Sequence, residues 1–367
     1  MPSWRGTAAS GENPFPSAEM MSRASGVRPW ARLSTNENEF GPAPEVLDAI
    51  AMAAAEANRY PDCEHFDLRT ALAAEFGVRF EQVHVRTGID GLLGDACRAF
   101  ASGGTVVTTE GTYATFAYFA RAAGATVETV PYRDLHVDTG ALAERAGECG
   151  ADIVYLAEPD NPTGTSVGAS AVRGLRDALP ERTVLLVDGA YAEYQAPGEW
   201  LAVADVLDRR VLWLRTFSKA YGLAGMRVGY TLGSVELLRG LRCVTEYYAV
   251  GRVAQQAALA AFTATGYRDR MLADTAAGRE HYTDHLGGLG FTVLACATNF
   301  VTVRCGPGAS AESLRAHLAE AGVFARAIPL DEHGLLRMTI GPAHQRDAVL
   351  KLLAERSDTL HRFGQRE

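Results

Sequence analysis

Short apolar runs alternate with longer stretches of helical apolar spacing along most of the chain. Two helical stretches come first: EVLDAIAMAAAEAN (45–58) and FDLRTALAAEFG (66–77) repeat apolar residues three and four apart, and YPDC (60–63) marks a turn between them. Then QVHVRTG, TVVTTE, TVETVPY, DIVYLAE, TVLLVDG and VLWLRTF read as strands. The segments IDGLLGDACRAFA and TYATFAYFARAAG, and those near 139–148 and 168–179, read as the intervening helices, and a polar, Pro-containing stretch precedes VLWLRTF. Strand and helix in repeated alternation predict an α/β domain with a mainly parallel sheet.

MRVGYTLG (226–233) predicts one further strand, and a helix-rich zone follows from about 235 to 287. After it come FTVLA, NFVTVRC, a helix near 310–321, VFARA, LLRMTIG and a final helix around 342–356, the texture of a smaller C-terminal α+β domain. The expected division is an N-terminal arm over 1–42, a large α/β domain over 43–250 and a small domain over 251–367. Residues 1 to about 30 are rich in Ser, Pro and Gly and are expected to form an arm or a frayed lead-in.

Composition narrows the partners. The 367 residues suffice for two packed units, and a net charge of -9 with no cluster of basic and aromatic residues argues against a nucleic-acid surface. No segment reaches about 18 uninterrupted apolar residues, and the N-terminus lacks an apolar core of signal-peptide length. The cysteines at 63, 97, 149, 243, 296 and 305 form no CxxC pair. A soluble cytoplasmic protein with reduced thiols, without membrane or nucleic-acid partners, is the expectation.

Ligands of an open α/β sheet sit outside the carboxyl ends of its strands, so the residues that follow each strand outline the candidate site. They are Gly88-Ile89-Asp90-Gly91, then Gly111-Thr112-Tyr113, then PDNPTG (159–164), then Asp188-Gly189-Ala190-Tyr191, and finally TFSK ending at Lys219. Singly, these read as an N-cap, a turn, a strand-end hydrogen bonder and a surface lysine. Together they suit pyridoxal phosphate. Its aldehyde requires a lysine for a Schiff base, its pyridine nitrogen a carboxylate, its phosphate hydroxyls and an arginine, and its flat ring an aromatic neighbour. Lys219, Asp188, Ser218 with Arg227, and Tyr113 would fill those roles, with Asn161 and Tyr191 on the 3-oxygen.

TFSKAYGLAG (216–225) resembles the lysine-attachment signature of class II pyridoxal-phosphate aminotransferases, and NPTG followed by VDGAY resembles the fold type I core. LSTNENEFGP (33–42), NRYPD (58–62) and LLRMTIG (335–341) extend the similarity to histidinol-phosphate aminotransferases. The resemblance implies catalytic roles for Lys219, Asp188 and Tyr191, and phosphate binding by Thr216, Ser218, Arg227 and the Ile89-Asp90 helix start. It implies that Tyr60 reaches the cofactor of a second subunit, so that a homodimer shares its active sites. It also makes Arg337 the clamp for the α-carboxylate of an amino-acid substrate, with Arg326 and then Arg252 as further candidates.

Gly91 and Gly189 stand where that family usually carries acidic residues, and Glu39 and Phe40 stand where it usually carries Pro and Tyr. Two other patterns compete for a chemical role. Gly164-Thr165-Ser166-Val167-Gly168 matches a hydrolase nucleophile elbow, but lies several residues past its strand. His281 and His285 lie one helical turn apart without an evident third ligand, so no metal site is expected. Transamination is therefore the expected reaction. A lyase, decarboxylase or oxidative deaminase on the same cofactor, and a non-catalytic cofactor-binding protein, are the alternatives.

Overall fold

A computed structural model describes residues 16–196, 198–208, 210–305, 310–330 and 332–364. The first strand, β1 (Ala31–Arg32), lies apart from the large sheet. That sheet is built from β2 (Val83–Arg86), β3 (Thr105–Thr109), β4 (Thr126–Val130), β5 (Ile153–Ala157), β6 (Val184–Asp188), β7 (Val211–Thr216) and β8 (Gly229–Gly233), in the order β2-β8-β7-β6-β5-β3-β4. All neighbours are parallel except β8, which runs antiparallel to both β2 and β7. The connection from β7 to β8, residues 217–228, contains no crossover helix, and a strand that returns without one pairs antiparallel.

Strands β2, β5, β6, β7 and β8 are buried at every position, and the central β5, β6 and β7 accordingly open as apolar runs. Successive side chains still part to opposite faces. Val154, Leu156, Leu185 and Val187 join one core, with Val46, Leu72 and Phe262, while Ile153, Tyr155, Val184 and Leu186 join the other, with Leu92, Leu93 and Phe116.

The smaller sheet holds β9 (Thr292–Val293), β10 (Phe300–Arg304), β12 (Arg326–Ile328) and β13 (Leu335–Thr339), in the order β12-β13-β10-β9 and antiparallel throughout. The expected strand VFARA divides at Ala325. Its first half, β11 (Val323–Phe324), pairs in parallel with β1, and its second half is β12. Leu33, Val301, Leu318, Met338 and Val349 form the third core.

The N-terminal lead-in is ordered over its described part. Helix Ala18–Ser25 is capped by the Ser17 hydroxyl, which accepts from the Met20 N–H at 3.2 Å, and Gly26 ends it at φ 71°. The lead-in over residues 1–15 lies outside the described residues. Helix Arg252–Thr263 gives Ala257, Ala258, Ala261 and Phe262 to the core of the large sheet, so packing continues past residue 250. The long helix Thr265–Gly288 then links the two cores, with Met271 in the first and Tyr282 and Leu286 in the third. Among the described residues no helix is long and apolar enough to cross a membrane.

Candidate active site

A cavity of about 380 Å³ opens beyond the carboxyl ends of β5, β6 and β7. Ile89, Asp90, Tyr113, Asn161, Asp188, Tyr191, Thr216, Ser218, Lys219, Arg227 and Arg337 all line it, so one cleft collects residues spread over some 250 positions of sequence. Thr35, Asn36, Glu37, Tyr155 and Thr115 line it too, and none of these stood out as a site residue in the sequence.

Lys219 follows β7 in the β7–β8 connection. Its Nζ donates to the carbonyls of Thr35 at 3.0 Å and Asn36 at 2.9 Å, and Asn36 occupies the left-handed region at φ 55°. Burial lowers the ammonium from 10.5 to about 8, with Arg337 adding to the effect and Glu37 opposing it. Free amine is therefore far more accessible near neutral pH than for a lysine in water.

Asp188 ends β6. Its Oδ2 accepts from the Tyr155 hydroxyl at 2.7 Å and its Oδ1 from the Ala190 N–H at 3.0 Å. Burial pushes the carboxyl up to about 6, against the pull of those hydrogen bonds and of Lys219. The chain turns at Gly189, where a Cβ would lie 2.7 Å from Trp213 Nε1. Similarly, a Cβ on Gly91 would lie 2.4 Å from Thr87 Oγ1. At Gly189 the indole and the Leu214 carbonyl, 3.2 Å away, crowd out the acidic side chain common in the similar family, whereas at Gly91 the one close neighbour is the threonine hydroxyl.

Arg337, on β13, reaches across from the small sheet. It donates to Asn161 Oδ1 and, at 2.7 Å, to the Ser34 carbonyl. It is 4% exposed, no carboxylate among the described residues pairs with it, and burial lowers its guanidinium to about 10. The Tyr191 hydroxyl accepts from Asn36 Nδ2 at 2.9 Å, and its ring lies 5.8 Å from Lys219 Nζ. Asp160, beside Asn161, is fully enclosed by donors: Thr112 Oγ1 at 2.7 Å, Thr163 Oγ1 at 2.8 Å and the Tyr132 hydroxyl at 2.9 Å. These bonds fix the turn that aims Asn161 into the cleft.

A cradle of donors closes the far side. Thr216 Oγ1 donates to Ser218 Oγ at 3.0 Å, and Arg227 Nη1 reaches the same oxygen at 3.3 Å. Arg227 Nη2 and the Tyr113 hydroxyl bond opposite oxygens of Asp90, at 3.1 Å and 2.9 Å. Helix Gly88–Phe100 points its first turn here, and Thr87 makes no side-chain cap bond to it. Gly88 holds φ 72°, a conformation that favours glycine, and a Cβ there would lie 2.8 Å from Arg227 Nη2, so the helix start comes close to the guanidinium.

Other sequence candidates lie elsewhere. Tyr60 is 79% exposed, outside the chain's own cleft, and its ring lies against that of Tyr248, tilted by 34° with centroids 4.9 Å apart. Arg252 holds the Tyr60 carbonyl at 3.1 Å and pairs with Glu56 at 3.2 Å. Arg326 is the cross-strand partner of Arg337 and does not line the cleft. Glu39 accepts from Gln345 Nε2 at 3.0 Å, and Phe40 packs on the large-sheet core. Ser166 of the elbow-like motif donates to Glu158, whose other oxygen caps the Val167 N–H, so this serine supports a helix start. His281 pairs with Asp347 at 3.1 Å, and no cluster of three metal-ligating side chains occurs among the described residues.

These residues fit pyridoxal phosphate. A depressed amine and a buried carboxylate lie on one cavity, and the close approach that Gly88 permits leaves hydroxyls, a guanidinium and uncapped main-chain N–H groups for its phosphate. The family model for class I and II aminotransferases matches residues 28–356. A histidinol-phosphate aminotransferase of Ruegeria sp. (strain TM1040) is 37% identical over 320 residues, 86% of this chain and 88% of that protein. An aromatic amino acid aminotransferase of Rhodococcus opacus (strain B4) is 38% identical over 330 residues, 87% of this chain and 88% of that protein. The solved histidinol-phosphate aminotransferase of Sinorhizobium meliloti, in complex with pyridoxal-5'-phosphate, matches with a TM-score of 0.91 and 35% identity, covering 97% of this chain and 98% of that one. With cleft and comparisons in agreement, the chain belongs to the class I and II aminotransferases and is a pyridoxal-phosphate-dependent aminotransferase of fold type I.

Proposed function

We propose that this aminotransferase takes amino donors that carry an anionic group beside the amine-bearing carbon, either a carboxylate or a phosphate ester. The observation that carries this reading is Arg337: a guanidinium buried in the cleft wall, oriented by Asn161 and Ser34, with no carboxylate partner among the described residues. A planar fork of donors in a desolvated site binds such an anion in two parallel hydrogen bonds.

When bound, pyridoxal phosphate supplies an aldehyde carbon for the amino group and a ring that withdraws electrons from the neighbouring bonds. Lys219 would hold it covalently and, once displaced by substrate, move a proton at the amine-bearing carbon through Nζ. Asp188 would keep its carboxylate against the ring nitrogen, with Tyr191 and Asn161 donating at the 3-oxygen. Tyr113 would wall the ring. Thr216, Ser218, Arg227 and the Ile89-Asp90 helix start would hold the phosphate.

Tyr60 belongs to the same reading as a residue given to a second copy of the chain. Its 79% exposure, beside Tyr247 at 76% and Tyr248 at 53%, supports a homodimeric contact with shared sites. The division between large and small domain would fall within the Thr265–Gly288 helix, and a cytoplasmic setting suits six cysteines that form no disulfide.

Matched donor pairs test the substrate class. Histidinol phosphate against histidinol, and phenylalanine against phenethylamine, differ only in the anion. A kcat/KM at least about 100-fold higher for the anionic member of either pair supports the reading, in line with the loss of a charged bidentate contact. Equal values within both pairs would remove Arg337 from substrate recognition.

A further inference from the structure

Tyr155 is the middle residue of an apolar strand, yet its hydroxyl reaches a carboxylate on the neighbouring strand. Ala157 of β5 pairs with Asp188 of β6, and the two-residue period puts Tyr155 on the same face of the sheet as Asp188. The hydroxyl donates to Asp188 Oδ2 at 2.7 Å, and both groups are buried. A phenol facing a carboxylate can only donate, so this bond favours the ionised form of the acid.

The ring direction is fixed from a different element. Phe116 stacks on Tyr155 with centroids 4.5 Å apart and planes 9° from parallel, and both rings are inaccessible to solvent. Phe116 belongs to helix Ala114–Ala122, whose N-cap is Tyr113. One short segment therefore presents Tyr113 to the cleft and clamps Tyr155 behind it.

Asp188 has few other sources of support. From the main chain it receives the Ala190 N–H. Lys219 of the β7–β8 connection favours its charge, Asp90 of helix Gly88–Phe100 opposes it, and Tyr113 and Tyr191 also lie within its field. Burial is the largest influence and works toward the neutral acid.

We propose that Tyr155 is a positioning residue whose clamped hydroxyl keeps Asp188 ionised and correctly oriented at neutral pH. The inference rests on the reading of Asp188 as the partner of the cofactor's ring nitrogen. Without the Tyr155 hydroxyl, the carboxyl would take up its proton at higher pH, and the charge offered to the ring would be lost where the enzyme works.

The test is cofactor affinity as a function of pH, by equilibrium dialysis of pyridoxal phosphate against the parent, Tyr155→Phe and Asp188→Asn from pH 5 to 8.5. Phenylalanine keeps the ring and its stack. The expected result is that affinity falls below about pH 6 in the parent, where Asp188 protonates. In Tyr155→Phe the fall should begin about one pH unit higher, a roughly fivefold weaker affinity at pH 6 with recovery by pH 8.5. In Asp188→Asn that pH-dependent component should vanish. A merely structural tyrosine would lower the melting temperature and leave the midpoint in place. An unmoved midpoint in Tyr155→Phe, with the component lost in Asp188→Asn, overturns the inference and spares the reading of Asp188. A component that survives in Asp188→Asn overturns both. Should Tyr155→Phe fail to fold, Phe116→Leu loosens the clamp while keeping the hydroxyl; a shift in the same direction is expected, and its absence overturns the inference.

Discussion

Lys219 Nζ donates to the carbonyl of Asn36 at 2.9 Å, across 183 positions of sequence. The bond joins the end of the large sheet to the segment just after β1, which itself pairs with the small domain's β11. The reactive amine thus stands where both halves of the chain meet, held by acceptors it can leave once a carbonyl carbon is offered to it.

Borohydride reduction of the cofactor-loaded protein should fix the cofactor to the peptide containing Lys219, and Lys219→Ala should abolish that capture. Label on another lysine would contradict the assignment. A second consequence concerns the cofactor-free chain. Because burial depresses Lys219 to about 8 from 10.5, the unfolded chain binds more protons between those values, and stability rises with pH across that window. Lys219→Met should remove the rise, on the order of 2–3 kcal/mol, in denaturant titrations at pH 7.5 and 10.

Arg337→Lys should raise KM for an amino-acid donor by about tenfold or more, because an ammonium cannot supply two parallel donors to a carboxylate. Melting temperature and cofactor content should stay close to the parent. Equal impairment toward a carboxylate-free amine would place Arg337 in the scaffold.

Mixed dimers probe Tyr60. Tyr60→Phe combined with Lys219→Ala gives heterodimers in which one site carries both lesions and the other none, if the site draws on two chains. Recovered turnover after verified subunit exchange is expected. Activity no higher than that of the Tyr60→Phe parent would indicate sites made from one chain.

Arg215 tests how the lysine connection is supported. It is fully buried on β7, pairs with Glu193 at 2.8 Å and lies 4.4 Å from the Trp213 ring. Glu193→Gln leaves that guanidinium without its counter-charge and should cost about 3–5 kcal/mol in denaturant unfolding. The folded fraction should still capture cofactor at Lys219.

The legible part of this protein lay where one physical rule acts alone. Strands buried on both faces write themselves as apolar runs, and polar residues placed just past them, such as Lys219, Asp188 and Asn161, mark the cleft. Tyr155 was hidden for the same reason. Inside IVYLA it counts as one more apolar residue, and its hydroxyl acquires meaning only once β5 and β6 are in register. Asn36 and Thr35 were hidden by distance, since nothing in LSTNENEFGP states that its carbonyls face a lysine on the far side of the chain. The division of VFARA between two sheets likewise depends on β1, a partner nearly 300 residues away. Arg326 shows the converse limit: it neighbours Arg337 across the strands, and only the fold reveals which of the two reaches the cleft.

The most direct test of the account follows nitrogen itself. The cofactor-loaded protein is incubated with a ¹⁵N-labelled amino acid and an unlabelled 2-oxo acid, and the products are resolved by mass spectrometry. Amino transfer predicts ¹⁵N in the amino acid formed from the 2-oxo acid, one label for each donor converted, and no transfer in Lys219→Ala. Label released as free ammonia, with the 2-oxo acid unchanged, would contradict it.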